Sequence, residues 1–178
     1  MDWKTLSTEY ISQHIYFTAR KDVCEKPDGS IVEAYYVVEM PASVCAVALT
    51  ENNEVVMARQ YRHPIKQTIL ELPGGFMDAG EEPAQSIARE LLEETGYEFS
   101  EYEYLGKVAA NPGVLENFTY FYLAKGGKKI KEQKLDANEE IEIVLVPLQE
   151  LKSMLQRNEI VQALHVSCMH YAFDKLKS

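Results

Sequence analysis

Between Pro83 and Gly96 the chain spells out a helix that carries three acids where folding alone has no use for them. Ala84, Ile87, Ala88, Leu91 and Leu92 recur at three- and four-residue intervals, the period of an amphipathic helix. Pro83 suits a first helical position, where its missing N–H would be unpaired anyway. Gly96 suits the position just past the end, where a left-handed backbone is cheap for glycine. The spacing therefore predicts a helix over 83–95. Glu90, Glu93 and Glu94 then stand at i, i+3 and i+4 and crowd one face. Like charges so placed cost roughly 0.2–0.5 kcal/mol per pair, and acids near a helix C-terminus oppose its dipole. A divalent cation would resolve the conflict, because Mg²⁺ takes hard oxygen ligands and shares them with substrate phosphates. For an isolated E-x-x-E-E, a solvated acidic face is the plainer reading.

The flanking residues decide between these. Gly75 is followed after five residues by Glu81, and after seven more by Arg89-Glu90-Leu91-Leu92-Glu93-Glu94-Thr95-Gly96. This arrangement resembles the signature of the Nudix hydrolases, G-x5-E-x7-R-E-U-x-E-E-x-G-U, where U is bulky and apolar. Every fixed position matches, and Tyr97 stands where an aliphatic residue is more usual. The resemblance implies a divalent metal, Mg²⁺ with Mn²⁺ as a substitute, held by Glu90, Glu93 and Glu94. It also implies a backbone carbonyl ligand just before the signature glycine, here Gly74. Glu81 and Arg89 read as a loop-to-helix ion pair, for which Arg has the planar fork. Gly75 and Gly96 complete the motif as structural residues. Leu70-Glu71-Leu72-Pro73-Gly74-Gly75 reads as a short apolar strand broken by Pro and two glycines, which lets backbone approach a ligand closely.

Composition narrows the partners. With 178 residues, the chain is long enough for one domain with a proper core. A formal net charge of −10 argues against nucleic acid, since phosphate backbones need a basic face. An enzyme acting on phosphates must then offset its own charge locally, through metal ions and a few placed arginines. No apolar run approaches the roughly 18 residues of a membrane span. The opening MDWKTLSTEY lacks a basic-then-apolar leader pattern, so the expectation is cytoplasmic residence. Three cysteines, an odd number at unrelated spacings, argue against a disulfide framework, and Cys45, in an apolar run, reads as core.

Along the chain, residues 9–24 and 31–40 flank the turn Lys26-Pro27-Asp28-Gly29-Ser30 and read as a long hairpin. A second hairpin follows, 43–49 and 54–61, then strands near 102–109, 119–124 and 140–146. Gly126-Gly127-Lys128-Lys129 reads as a polar loop between the last two. Helices are expected at 148–155 and 160–176. The fold class is α/β, a mixed sheet sandwiched by helices, which agrees with the αβα sandwich of the Nudix family. The expectation is a single domain over 1–178, with a core at 41–178 and an N-terminal hairpin extension at 1–40.

Further segments bear on the substrate. Arg59-Gln60-Tyr61-Arg62 followed by Glu71-Leu72-Pro73-Gly74-Gly75 resembles the run of ADP-ribose and nucleotide-sugar pyrophosphatases. Pro112, fifteen residues past the signature and followed by Gly113, is typical of the ADP-ribose subgroup. Arg62, Arg59, Glu71, Pro112 and Gly113 are thus the candidate substrate contacts. Arg59 and Arg62 fall on opposite faces of a strand, and Arg62 is the favoured one. In the loop Asp136–Glu142, relatives carry an acidic base or ligand. Glu139 is preferred over Glu140, and the base is Glu139 or Glu90. The resemblance implies hydrolysis of a nucleoside diphosphate linked to a sugar, ADP-ribose to AMP and ribose 5-phosphate foremost. The alternatives are GDP-mannose, a dinucleoside polyphosphate or an oxidised nucleotide as substrate, or a non-catalytic ADP-ribose-sensing module. In related enzymes the N-terminal strands are exchanged across a two-fold axis, so a homodimer is expected.

Overall fold

The structure, a computed structural model, describes residues 1–14, 17–136 and 139–177. Its elements are β1 (Lys4–Ser12), β2 (Thr18–Glu25), β3 (Ile31–Glu39), β4 (Ser43–Thr50), β5 (Glu54–Arg62), β6 (Gln67–Glu71), α1 (Pro83–Thr95), β7 (Tyr97–Glu98), β8 (Glu101–Val108), β9 (Leu115–Glu116), β10 (Thr119–Lys129), β11 (Ile141–Pro147), α2 (Leu148–Gln156) and α3 (Ala163–Lys175). The chain divides into two compact units, one of residues 1–42 with 109–118, the other of 43–108 with 119–178.

In the second unit, β4 shows why the architecture is a sandwich. From Val44 to Thr50 every residue is buried, which requires cover on both faces of the sheet. Val44, Ala46 and Ala48 point to the side of α1 and pack with Ile87, Leu91, Phe99 and Tyr122. Cys45, Val47 and Leu49 point the other way and pack with Leu151 of α2 and Cys168, Met169 and Phe173 of α3. The period of two in the strand thus feeds two cores. The seven-stranded sheet runs β11-β5-β4-β10-β7, with β6 beside β5 and β8 beside β10. It is mixed, since β10 pairs with β4 in parallel and the neighbouring ladders are antiparallel. Among the described residues, no helix is long and apolar enough to cross a membrane.

Helix α1 spans Pro83–Thr95, with Pro at its start and Gly96 at its end in the left-handed region at φ 76°. The Gly96 N–H closes the helix on the Leu92 carbonyl at 3.1 Å. Helix α3 begins at Ala163, three residues later than the periodicity suggests. The side chain of Gln162 accepts from the Leu164 and His165 N–H groups and so fixes that start.

Two segments depart from the sequence reading. The run expected as a polar loop at Gly126–Lys129 continues β10. Gly126 takes φ 70° at a bulge between Ala124 and Gly127, and Lys128 and Lys129 then pair with Glu98 and Tyr97 of β7. The composition signalled a turn, but the left-handed glycine here accommodates a register shift. The N-terminal hairpin is a larger sheet, with order β1-β2-β3-β9. The β2–β3 hairpin turns at 26–30, where the Asp28 carboxylate accepts from the Ser30 N–H at 3.0 Å. The supposed first arm is two antiparallel strands, β1 and β2; Ile15 and Tyr16, placed in that arm, lie outside the described residues.

Gly96→Ala should destabilise the protein by more than about 1 kcal/mol, the scale for a side chain forced into φ > 0. An added Cβ would also stand 2.1 Å from the Lys131 carbonyl oxygen. A urea unfolding series checks this, and a change within error would show that the helix end can relax.

Candidate active site

The loop 72–75 runs beside β4 like a partial strand. The Pro73 and Gly75 carbonyls accept from the Ala46 and Val44 N–H groups at 3.2 and 2.9 Å. Between those bonds Gly74 sits at φ 146°, and a Cβ there would lie 2.1 Å from the Val44 carbonyl oxygen. Only glycine fits so close to another backbone. A Cβ on Gly75 would stand 2.8 Å from the Glu90 carboxylate, so the loop leaves room for an acid to approach its backbone.

Helix α1 delivers the acids to this loop. Glu94 is buried, and its carboxylate accepts the Gly74 N–H at 2.9 Å. Burial pushes its carboxyl up to about 8, opposed by that hydrogen bond and reinforced by the charges of Glu90 and Glu139. Glu90 is raised for the same first reason, burial, and feels Glu93 and Glu139 as well. Glu139 is half-buried whereas Glu140 is exposed, and the Glu139 carboxylate accepts from the Asp136 N–H at 3.0 Å. The structure thus brings Glu90, Glu94 and Glu139 into one electrostatic neighbourhood.

Arg89 is the counterweight. Its guanidinium makes a bidentate pair with Glu81, both contacts at 2.9 Å, and reaches Glu90 at 2.8 Å and Glu93 at 3.3 Å. The pairing with Arg89 holds the Glu81 carboxyl down to about 2. The loop-to-helix pair therefore extends to two of the acids on the helix, a reach that spacing alone did not indicate. Among the described residues no three acidic, histidine or cysteine side chains already form a closed ligand set. The donor chemistry nevertheless fits a divalent cation: hard carboxylate oxygens, partly desolvated and mutually repelling. The Gly74 carbonyl is not among the groups that β4 takes.

The other candidate residues lie as follows. Arg62 donates through Nε to Glu71 at 2.7 Å, and the Glu71 side chain is 3% exposed, so this acid is the internal partner of the arginine. Arg59 pairs with Glu142 across the β5–β11 ladder at 2.9 Å, both side chains open to solvent. Pro112 and Gly113 belong to the 109–118 segment of the first unit. There the Tyr35 hydroxyl donates to the Gly113 carbonyl at 3.1 Å, beside a cleft of about 210 Å³ lined by Arg20, Tyr35 and Pro112. Two residues near the acids had no sequence signal. Gln133 donates to the carbonyls of Glu94 and Ile141 at 2.6 and 3.1 Å, and buried His165 accepts from the Leu72 N–H at 3.2 Å. The Glu94 and Leu72 partners lie 39 and 93 positions away, beyond any local pattern.

The sequence of residues 39–164 matches the model of the NUDIX domain. The chain belongs to the Nudix hydrolases. Residues 3–38 match a second model, the nucleoside diphosphate sugar hydrolase N-terminal domain, so the strands before the core are themselves a family feature. Among its relatives, the methanol dehydrogenase activator of Bacillus methanolicus is 33% identical over 94% of this chain and 91% of its own length. The ADP-ribose pyrophosphatase of Bacillus subtilis is 27% identical over 96% of this chain and 92% of its own. In fold, a crystal structure of an ADP compounds hydrolase covers 99% of this chain and 95% of its own with a TM-score of 0.86 at 21% identity.

The Glu94 carboxyl holds its proton more tightly in the folded than in the unfolded chain. Metal-free protein should therefore lose stability as pH rises from the ordinary 4.5 towards about 8. Glu94→Gln keeps an oxygen for the Gly74 N–H and removes the charge. Its Tm in chelator should fall less over that window and overtake the wild type at the alkaline end. Parallel pH profiles of Tm for the two proteins would refute this.

Proposed function

We propose that this Nudix hydrolase cleaves the pyrophosphate bond of a nucleoside diphosphate sugar, with ADP-ribose as the leading substrate and AMP and ribose 5-phosphate as products. The observation that carries the reading is the set of acids on α1, two of them with raised carboxyl pKa, gathered against the Gly74–Gly75 backbone. The nucleoside diphosphate sugar hydrolase N-terminal domain, beside a relative named ADP-ribose pyrophosphatase, supports the substrate class. All signature acids are present, which favours an enzyme over a silent sensor. GDP-mannose, dinucleoside polyphosphates and oxidised nucleotides are the competing substrates for an assay panel. Phosphate release after phosphatase coupling, highest with ADP-ribose, is the expected result.

Glu90, Glu93, Glu94 and the Gly74 carbonyl would hold the divalent cation, Mg²⁺ with Mn²⁺ able to replace it. When bound, such an ion neutralises charge on the phosphates and makes water more acidic. We assign the proton-accepting role to Glu139. Glu90 is engaged by Arg89 at 2.8 Å and is already assigned to the cation, which leaves its oxygens less available to an attacking water. Glu139 would take the proton of the attacking water as its oxygen bonds to phosphorus, and the bridging P–O bond breaks to release the second phosphate. Arg62, held by its Nε edge on Glu71, would engage the substrate's phosphates through the rest of its fork. We read the protein as cytoplasmic, in keeping with its three free, buried cysteines.

Glu93→Gln and Glu94→Gln should each lower turnover by at least about 10², the scale of losing one preorganised electrostatic group. Near-normal turnover of both at saturating Mg²⁺ would overturn the cation assignment. Glu139→Gln should lower kcat with little change in KM, and more than Glu140→Gln does. Equal and mild effects would return the base to Glu90.

We also propose a homodimer. In the first unit Trp3, Leu6, Tyr10, Ile11, Phe17 and Tyr36 are each about half exposed, more apolar surface than such a small sheet ordinarily leaves in water. A two-fold partner is the commonest cover. Light scattering should give twice the chain mass at micromolar concentration. A fully active monomer would sink the idea.

A further inference from the structure

The four-residue loop Leu72–Gly75 is held from alternate sides. Its Pro73 and Gly75 carbonyls bond to β4, and its Leu72 and Gly74 N–H groups bond to two side chains, His165 and Glu94. His165 therefore takes the place that a neighbouring strand would fill in a full ladder. It sits in the first turn of α3, where Gln162 accepts its backbone N–H at 3.3 Å, and its residue exposure is 8%. For Nδ1 to accept from Leu72, the ring must be neutral with its proton on Nε2. Burial first, and the nearby Arg62 charge second, push the imidazole down to about 3, so the accepting form persists across the pH range in which the enzyme would work.

We propose that His165 is a positioning residue for the active site. By fixing Leu72 from the far face of the sheet, it sets the Gly74 N–H on Glu94. Its catalytic consequence rests on the reading of Gly74 and Glu94 as cation holders; its anchoring of the loop does not. Neither the signature nor the R-Q-Y-R run includes this residue, which is contributed by the C-terminal helix.

Amide exchange at Leu72 and Gly74 in metal-free protein, followed by NMR, tests the anchoring. The variants are His165→Leu, His165→Gln and His165→Asn. Asn sets its amide oxygen close to the Nδ1 position, whereas Gln reaches towards Nε2, so the pair separates the acceptor from mere bulk and polarity. Leu and Gln should speed exchange at both amides by at least about tenfold, the scale of a lost buried hydrogen bond. They should also raise the Mg²⁺ needed for half-maximal hydrolysis, while Asn stays close to wild type in both readouts. If Leu prevents folding, the Asn–Gln comparison decides. Unchanged Gly74 exchange in the folded Leu or Gln variants, or Asn behaving like Gln, would overturn the proposal. A wild type inert towards every nucleotide sugar would instead overturn the proposed function, and the exchange comparison would still judge His165.

Discussion

A carboxylate taken out of water beside two others is the constraint around which this molecule is organised. Glu94 is buried, with Glu90 on the preceding turn and Glu139 close enough for its charge to be felt by both. On an exposed helix such neighbours would cost only about 0.2–0.5 kcal/mol per pair. Burial raises the stakes, because low dielectric strengthens repulsion and removes the water that would soften it. A helix with this face cannot simply rest on a sheet. Something has to neutralise, hydrogen-bond or share the charge.

The surrounding loops answer that demand one group at a time. Arg89 spans Glu81, Glu90 and Glu93 with a single planar fork, which a flexible ammonium could not do. The Gly74 N–H meets Glu94, and the missing Cβ of Gly75 makes room for Glu90. Beyond the helix, Gln133 ties the Glu94 carbonyl to that of Ile141 with one amide. That bond pins both ends of the segment bearing Glu139. These contacts give each acid a hydrogen-bonding partner or an opposite charge, and in the proposed reading they would orient the carboxylates towards a cation.

This division explains what the sequence made legible. Helix α1 and its caps were readable because every determinant lies within fifteen positions: apolar spacing, Pro83, Gly96 and the acids themselves. The strand at 43–49 and the core place of Cys45 were visible in an apolar run, whereas its burial on both faces emerged only with the helices packed on either side. Contacts that depend on chain return were not. His165 meets Leu72 only because α3 crosses the opposite face of the sheet, and nothing beside a lone histidine announces such a partner. Glu71 shows a subtler case. Its place in a substrate-contact run suggested a ligand, whereas its side chain turns inward to hold Arg62. The Gly126-Gly127 pair misled for a physical reason: glycine marks a left-handed residue, and that conformation serves a bulge as well as a turn.

An enzyme with a formal net charge of −10 must still welcome a pyrophosphate. Net charge decides little at contact range, because physiological salt screens beyond about 8 Å. What the substrate would meet is the local arrangement. On α1 a divalent cation held by the acids would offset their negative charge and remove the repulsion a pyrophosphate would otherwise meet there. At β5 the buried Glu71 cancels the charge of Arg62 yet fixes its guanidinium by one edge. In its proposed role that pairing would trade some attraction for geometry, since a fork already held in place would lose less freedom on closing on phosphate. In the proposed reading the site would gain its affinity for an anion from a bound cation and placed dipoles, and the acidity of the rest of the surface would not oppose it.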